Sequence, residues 1–160
     1  MKFCIVVVAL CAFTLTHSGQ AQTAEEDVYS IVSTFFDALL TADSTLMAGI
    51  LLPGGQAHAI MPTDSTTRVR TSTHQQTLEQ MASWTEPIVE RMWDPTILVN
   101  GPLAVVWGPY DLYVGQEFSH CGVDTFTLIR SDDGWKISSI DYTIERGTCE
   151  MHPDGPPSFE

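Results

Sequence analysis

The chain has 160 residues, of which 44% are hydrophobic and 17% charged, a size and composition that argue for one folded domain with an ordinary apolar core. Its 7 basic side chains stand against 20 acidic ones, a formal net charge of −13. That balance repels phosphate backbones and anionic lipid, which argues against nucleic acid or a membrane surface as a partner.

The chain opens with Lys2, an apolar run from Phe3 to Leu15, and small or polar residues leading to Gly19-Gln20-Ala21. The run is short for a bilayer span and has the flanks of an export signal. Residues 1–21 are therefore expected to be cleaved, giving a periplasmic or secreted protein with no membrane attachment. Cys11 offers a lipoprotein alternative, but Leu10 fits poorly before a lipidated cysteine. Cleavage removes Cys4 and Cys11 and leaves Cys121 and Cys149. An exported chain with two cysteines is expected to join them, and their spacing does not match a CxxC redox motif.

A helix is expected over "TAEEDVYSIVSTFFDALLTAD". Thr23 and Glu26 have capping-box spacing, and Val28, Ile31, Val32, Phe35, Leu39 and Leu40 form one apolar stripe. "DSTLMAGILLPGG" predicts a short second helix stopped by Pro53-Gly54-Gly55. "QAHAIMP" suits a short strand, and "TDSTTRVRTST" a loop or edge hairpin. A third helix is expected over "STHQQTLEQMASW", capped by Ser72 with Gln75.

After Pro87 the chain is rich in Val, Ile, Thr and aromatics. Asn100-Gly101-Pro102, Gly115-Gln116-Glu117 and Asp132-Asp133-Gly134 divide it into four expected antiparallel strands. Helices followed by a meander indicate an α+β domain with helices on one sheet face. "LAVVWGPYDLYV" is apolar on both parities and reads as a central strand. In the last strand Trp135 and Ile137 share one parity, whereas Ile140, Tyr142 and Ile144 share the other. That switch at Ser138-Ser139 predicts a β-bulge, which would curve the sheet and enclose a pocket. The domain is assigned to residues 22–149, with 150–160 as a weakly ordered tail.

Three stretches, "DVYSIVSTFFDALLTAD", "LAVVWGPYDLYV" and above all "HCGVDTFTLIRSDDGWKISSIDYT", give the chain a resemblance to the nuclear transport factor 2-like (SnoaL-like, cystatin-like) superfamily over about residues 25–149. Within it the chain resembles small exported bacterial proteins classed by sequence as lumazine-binding. The resemblance implies a cone, with a long N-terminal helix and smaller helices packed on a strongly bent, mostly antiparallel sheet. It also implies dimers formed across that sheet. The superfamily includes isomerases, dehydratases, cyclases, dioxygenase subunits and members without known activity, so fold alone implies no single function. The resemblance carries over no catalytic motif.

The candidate site must come from the residues. Asp124 falls inside a strand, where a carboxylate is unfavourable. Facing inward, it would have a raised pKa suited to proton abstraction beside a carbonyl; at a sheet end it would only accept structural hydrogen bonds. If Asp133 and Gly134 are the central turn residues, Asp124 sits opposite Thr143 and shares a face with Asp141. His120 is a candidate proton shuttle or a rim residue beside the disulfide. Tyr110, Trp107, His58 and Trp84 are the candidate pocket residues, while His74, in the first turn of a helix, is expected to be exposed. No histidine pair has metal-binding spacing, and no nucleotide or cofactor fingerprint is present, so neither a metal nor a cofactor is expected.

These observations favour an exported domain that binds a small, partly apolar molecule. The alternative is an acid–base enzyme of the isomerase, cyclase or dehydratase type, using Asp124 with His120 or Asp141 and with Tyr110 as a hydrogen-bond donor. A third reading makes the protein a structural homodimerisation module. The direction of the Asp124 side chain separates the first two.

Overall fold

A computed structural model describes residues 23–63, 65–147, 149–150 and 152–159. The expected export signal lies outside the described residues. Three helices and seven strands follow in the order α1 (Ala24–Thr41), α2 (Ser44–Ile50), β1 (Leu51–Pro62), β2 (Thr67–Thr73), α3 (His74–Met81), β3 (Ile88–Met92), β4 (Thr96–Asn100), β5 (Leu103–Val114), β6 (Glu117–Ser131) and β7 (Gly134–Thr143). Among the described residues no helix is long and apolar enough to cross a membrane.

Helix α1 begins where its cap predicts. The Thr23 side chain accepts from Glu26 N–H, and Glu26 accepts from Thr23 N–H, so two otherwise unpaired donors are satisfied. Val28, Val32, Phe35, Ala38 and Leu39 are buried, and the Phe35 ring meets Phe126 of β6 edge-on at 5.2 Å. The α3 cap lies one residue later than expected. Thr73 and Gln76 form the box, and His74 opens the helix.

The sheet order is β2-β1-β7-β6-β5-β3, with β4 also pairing β5. Strand β1 runs parallel to β7, and the other pairings are antiparallel. Two expectations are corrected. Pro53-Gly54-Gly55 does not separate a helix from a distant strand; it lies inside β1, where the register with β7 shifts between Leu51 and Gln56. The first of the four expected strands after Pro87 is two strands, β3 and β4, split around Asp94, whose φ is 45°.

The predicted bulge is present. Ser131 pairs Gly134 and Leu128 pairs Ile137, but Thr127 then pairs Ser139, leaving Ser138 as the extra residue. Its hydroxyl donates to the Thr127 carbonyl at 3.0 Å. Because of that insertion both Ile137 and Ile140 are buried in the core. The turn therefore centres on Asp132-Asp133, not Asp133-Gly134, and Asp124 lies opposite Tyr142 rather than Thr143.

A disulfide joins Cys121 on β6 to Cys149, with Cα atoms 6.0 Å apart. Beyond it, the described tail residues make specific contacts on the sheet face away from the helices. Arg91 pairs with buried Asp111 and donates to the Gly155 carbonyl at 2.9 Å. Trp93 meets His152 at 5.3 Å, and Tyr113 meets Phe159 at 6.0 Å.

Candidate functional site

The inner face of the sheet carries a cavity of about 350 Å³ between the strands, α1 and α3. Asp124 is on that face, opposite Gly108 on one neighbouring strand and Tyr142 on the other, and only 1% of its surface is exposed. Glu90 reaches the same cavity from β3, where it pairs with Leu112. The two carboxyl groups are within hydrogen-bonding reach of each other.

Two carboxylates cannot hydrogen-bond each other unless one carries a proton. No donor among the described residues reaches Asp124 Oδ2. Burial, followed by the negative charge of Glu90, holds the Asp124 carboxyl well above its ordinary 3.8. Burial also raises Glu90, from 4.5 to about 7; the hydrogen bond from Asp124 opposes that rise and the Asp111 charge adds to it. Near neutrality Asp124 therefore holds the proton and donates it to a hydrogen bond with Glu90, the pattern of two acids pushed apart by environment. Glu90 is only half-buried because part of its side chain borders the cavity. It is the member of the pair that a ligand would touch.

His120 also lines the cavity, with Nδ1 2.9 Å from the Ser119 hydroxyl. Burial, with the Arg146 charge as a second cause, pushes it down to about 4, so it is neutral at physiological pH. Tyr110 is fully buried, and its hydroxyl donates to the Thr143 carbonyl at 2.7 Å. That bond uses its proton and withholds the ligand-donor role expected of it. Burial, then the neighbouring carboxyls, raises its pKa far above 10. Gly122, opposite Tyr110 in the register, permits this arrangement, since a Cβ there would collide with Thr143.

The remaining candidates divide between the two faces. Trp84 lines the cavity. Trp107 does not: it is 47% exposed on the outer face. His58 and Asp141 also lie on the outer face, 2.8 Å apart, and Asp141 is opposite Thr125. Asp141 is thus no partner of Asp124, because the one-residue insertion at Ser138 reverses the parity on which that expectation rested. His74 is not exposed but 2% accessible, with Nδ1 donating to the Leu52 carbonyl at 3.0 Å. Burial lowers its pKa. Its ring occupies space that Gly55 leaves free.

Sequence reasoning missed Glu90, Arg70, Tyr142 and Arg146, which all line the cavity. Among the described residues no group of His, Cys, Asp and Glu is arranged to hold a metal ion.

The architecture matches solved structures at low sequence identity. A protein of the nuclear transport factor 2 (NTF2-like) superfamily from Salmonella enterica is 14% identical, with a TM-score of 0.61 over 78% of this chain and 92% of its own. A protein from Cytophaga hutchinsonii described as NTF2-like gives 0.65 at 12% identity, covering 78% of this chain and 100% of its own. The fold is NTF2-like. A third NTF2-like structure, from Streptomyces avermitilis and provisionally described as a dehydratase, gives 0.58 at 21% identity, over 77% of this chain and 96% of its own. No family model matches the chain, and neither does any curated protein. These likenesses establish the NTF2-like architecture and leave the chemistry to the cavity.

Proposed function

We propose that the cavity performs proton transfer on a small, partly apolar molecule, with Glu90 as the base that meets the ligand and Asp124 as the proton-holding group behind it. The observation that carries this reading is the paired, desolvated carboxyl groups at the wall of an otherwise largely apolar cavity. A base poised near 7 combines a useful fraction of the ionised form with adequate basicity. Once Glu90 has taken a proton from carbon, the neutral carboxyl can return it to a neighbouring position or to a leaving hydroxyl. That sequence accounts for isomerisation or dehydration next to a carbonyl.

The test is exchange into deuterated water. A panel of small β-hydroxy and β,γ-unsaturated ketones is incubated with the protein, and deuterium at the α-carbon is followed by NMR. Exchange above the buffer rate that is lost in Glu90→Gln supports the reading. Exchange that is absent throughout the panel, or unchanged in Glu90→Gln, contradicts it.

Binding without chemistry is the second reading, and the near-complete burial of Asp124 favours it. Wild-type protein that binds panel members without exchanging them would favour binding alone. The closer kinship with exported proteins classed as lumazine-binding, and export itself, also belong to this proposal; the Cys121–Cys149 bridge supports an oxidising compartment. The exposed outer-face residues Leu98, Leu103, Trp107 and Ile129 support a homodimer, which light scattering of the mature protein would detect and a purely monomeric mass would exclude.

A further inference from the structure

The cavity's charge is opposite to that of the chain as a whole. The protein carries 20 acidic and 7 basic side chains, yet Arg70 and Arg146 both line this cavity, and its acidic lining residues are Glu90 and Asp124. Those two hold a proton between them near neutrality, and neither cavity histidine adds charge there, because burial lowers both. The lining is therefore net positive within a strongly negative molecule.

Two other arginines of the chain have partners away from the cavity. Arg91 is paired with Asp111, and Arg130 lies over the Trp135 ring. Among the described residues, neither Arg70 nor Arg146 has a carboxylate within ion-pair distance. Arg70 lies near the Tyr142 hydroxyl at the cavity wall. Both arginines are exposed and both border the cavity, so they stand at its rim. Away from the rim the lining includes Phe35, Leu39, Leu51 and Ile140.

We propose that the ligand is a small monocarboxylic acid with an apolar body, its carboxylate held at the rim by Arg70 and Arg146 and its other end turned toward Glu90. A guanidinium fork suits a carboxylate, and a local positive rim offsets the repulsion an anion would meet at the rest of the surface. One negative charge fits, and a second does not. A dicarboxylate filling the cavity would set its far charge against the Glu90–Asp124 pair. A volume of about 350 Å³ is at the small end for organic ligands.

This inference rests on Glu90 being the group that meets the ligand, and its test separates the two ideas. Calorimetry compares hexanoate, octanoate and 4-phenylbutyrate with their primary amides, on the wild type and on Arg70→Gln/Arg146→Gln, Arg70→Lys/Arg146→Lys and Glu90→Gln. At least one acid should bind about 10-fold tighter than its amide, a difference of about 1.4 kcal/mol. The preference should vanish in the double glutamine variant and persist in part in the double lysine variant. Glu90→Gln should keep the preference while losing deuterium exchange, so failure of the chemistry is distinguishable from failure of the ligand class. Acids that bind no better than their amides, or a preference that survives the double glutamine change, would overturn the proposal.

Discussion

Glu90 and His120 border the same cavity with opposite protonation behaviour. Glu90 holds its proton more tightly in the folded state, so its contribution to stability is lost as pH rises from 4.5 toward 7. His120 holds its proton less tightly when folded, so its contribution is complete above 6.5 and lost as pH falls toward 4. Within that shared window the raised Asp124 carboxyl adds to the slope of Glu90, and buried His74 adds to that of His120. Comparison with the wild type isolates each group. Relative to the wild type at the same pH, urea unfolding of Glu90→Gln should show stability gaining between pH 4.5 and 6.5, and that of His120→Gln should show it losing, each by about 2 kcal/mol. Parallel profiles for the two variants would refute this account of the cavity.

Of these residues, Asp124 could be found from sequence because a lone carboxylate in "CGVDTF" is anomalous in a strand. Glu90 was not legible. It shares parity with Ile88 and Met92, a signal in hindsight, but Val89 and Trp93 make the other parity equally apolar. With both faces apolar, alternation cannot say whether Glu90 or Arg91 turns inward.

At the scale of elements, the final hairpin depends on tight fits that sequence pattern showed only in part. The parity switch at Ser138-Ser139 revealed the bulge, but the turn residue was misplaced. The turn error alone would have kept Asp141 on the Asp124 face; the extra residue at Ser138 moves it to the other, because a single-residue slip exchanges the faces. Gly122 has no room for a side chain against Thr143. Gly122→Ala should cost about 3 kcal/mol in chemical denaturation by overpacking; a cost below about 0.5 kcal/mol, the level of an ordinary surface change, would show that the contact yields easily. The Cys121–Cys149 bridge closes a sequence separation of 28 residues, and a chain-entropy argument gives it about 3.5 kcal/mol. Cys149→Ser should lose about that much stability. It should also speed amide exchange around Gly155, which accepts from Arg91. Unchanged exchange there would mean that the tail is held by its own contacts rather than by the bridge.

For the molecule as a whole, the division of the sheet into two faces organises the account. The α+β architecture and the bent sheet could be read from helical stripes, strand composition and the bulge. The parallel pairing of β1 with β7 could not, because it brings together residues far apart in sequence. That pairing closes the cavity wall, placing Ala57 beside Ile140 and Ala59 beside Tyr142, with Arg70 of β2 next to Ala59. The charge reversal inside the cavity is therefore a product of topology. Basic residues distant along the chain border one chamber, and no local motif announces them.

The central claim is that Glu90 and Asp124 share a proton. Carbon-13 NMR of their labelled side-chain carboxyls, titrated from pH 3 to pH 9, tests it directly. The account predicts that neither group ionises near its ordinary value: the first step should fall near 7, as for Glu90, and the Asp124 carboxyl should still be protonated there. Two independent titrations, both near the ordinary 3.8 of Asp124 and 4.5 of Glu90, would contradict it.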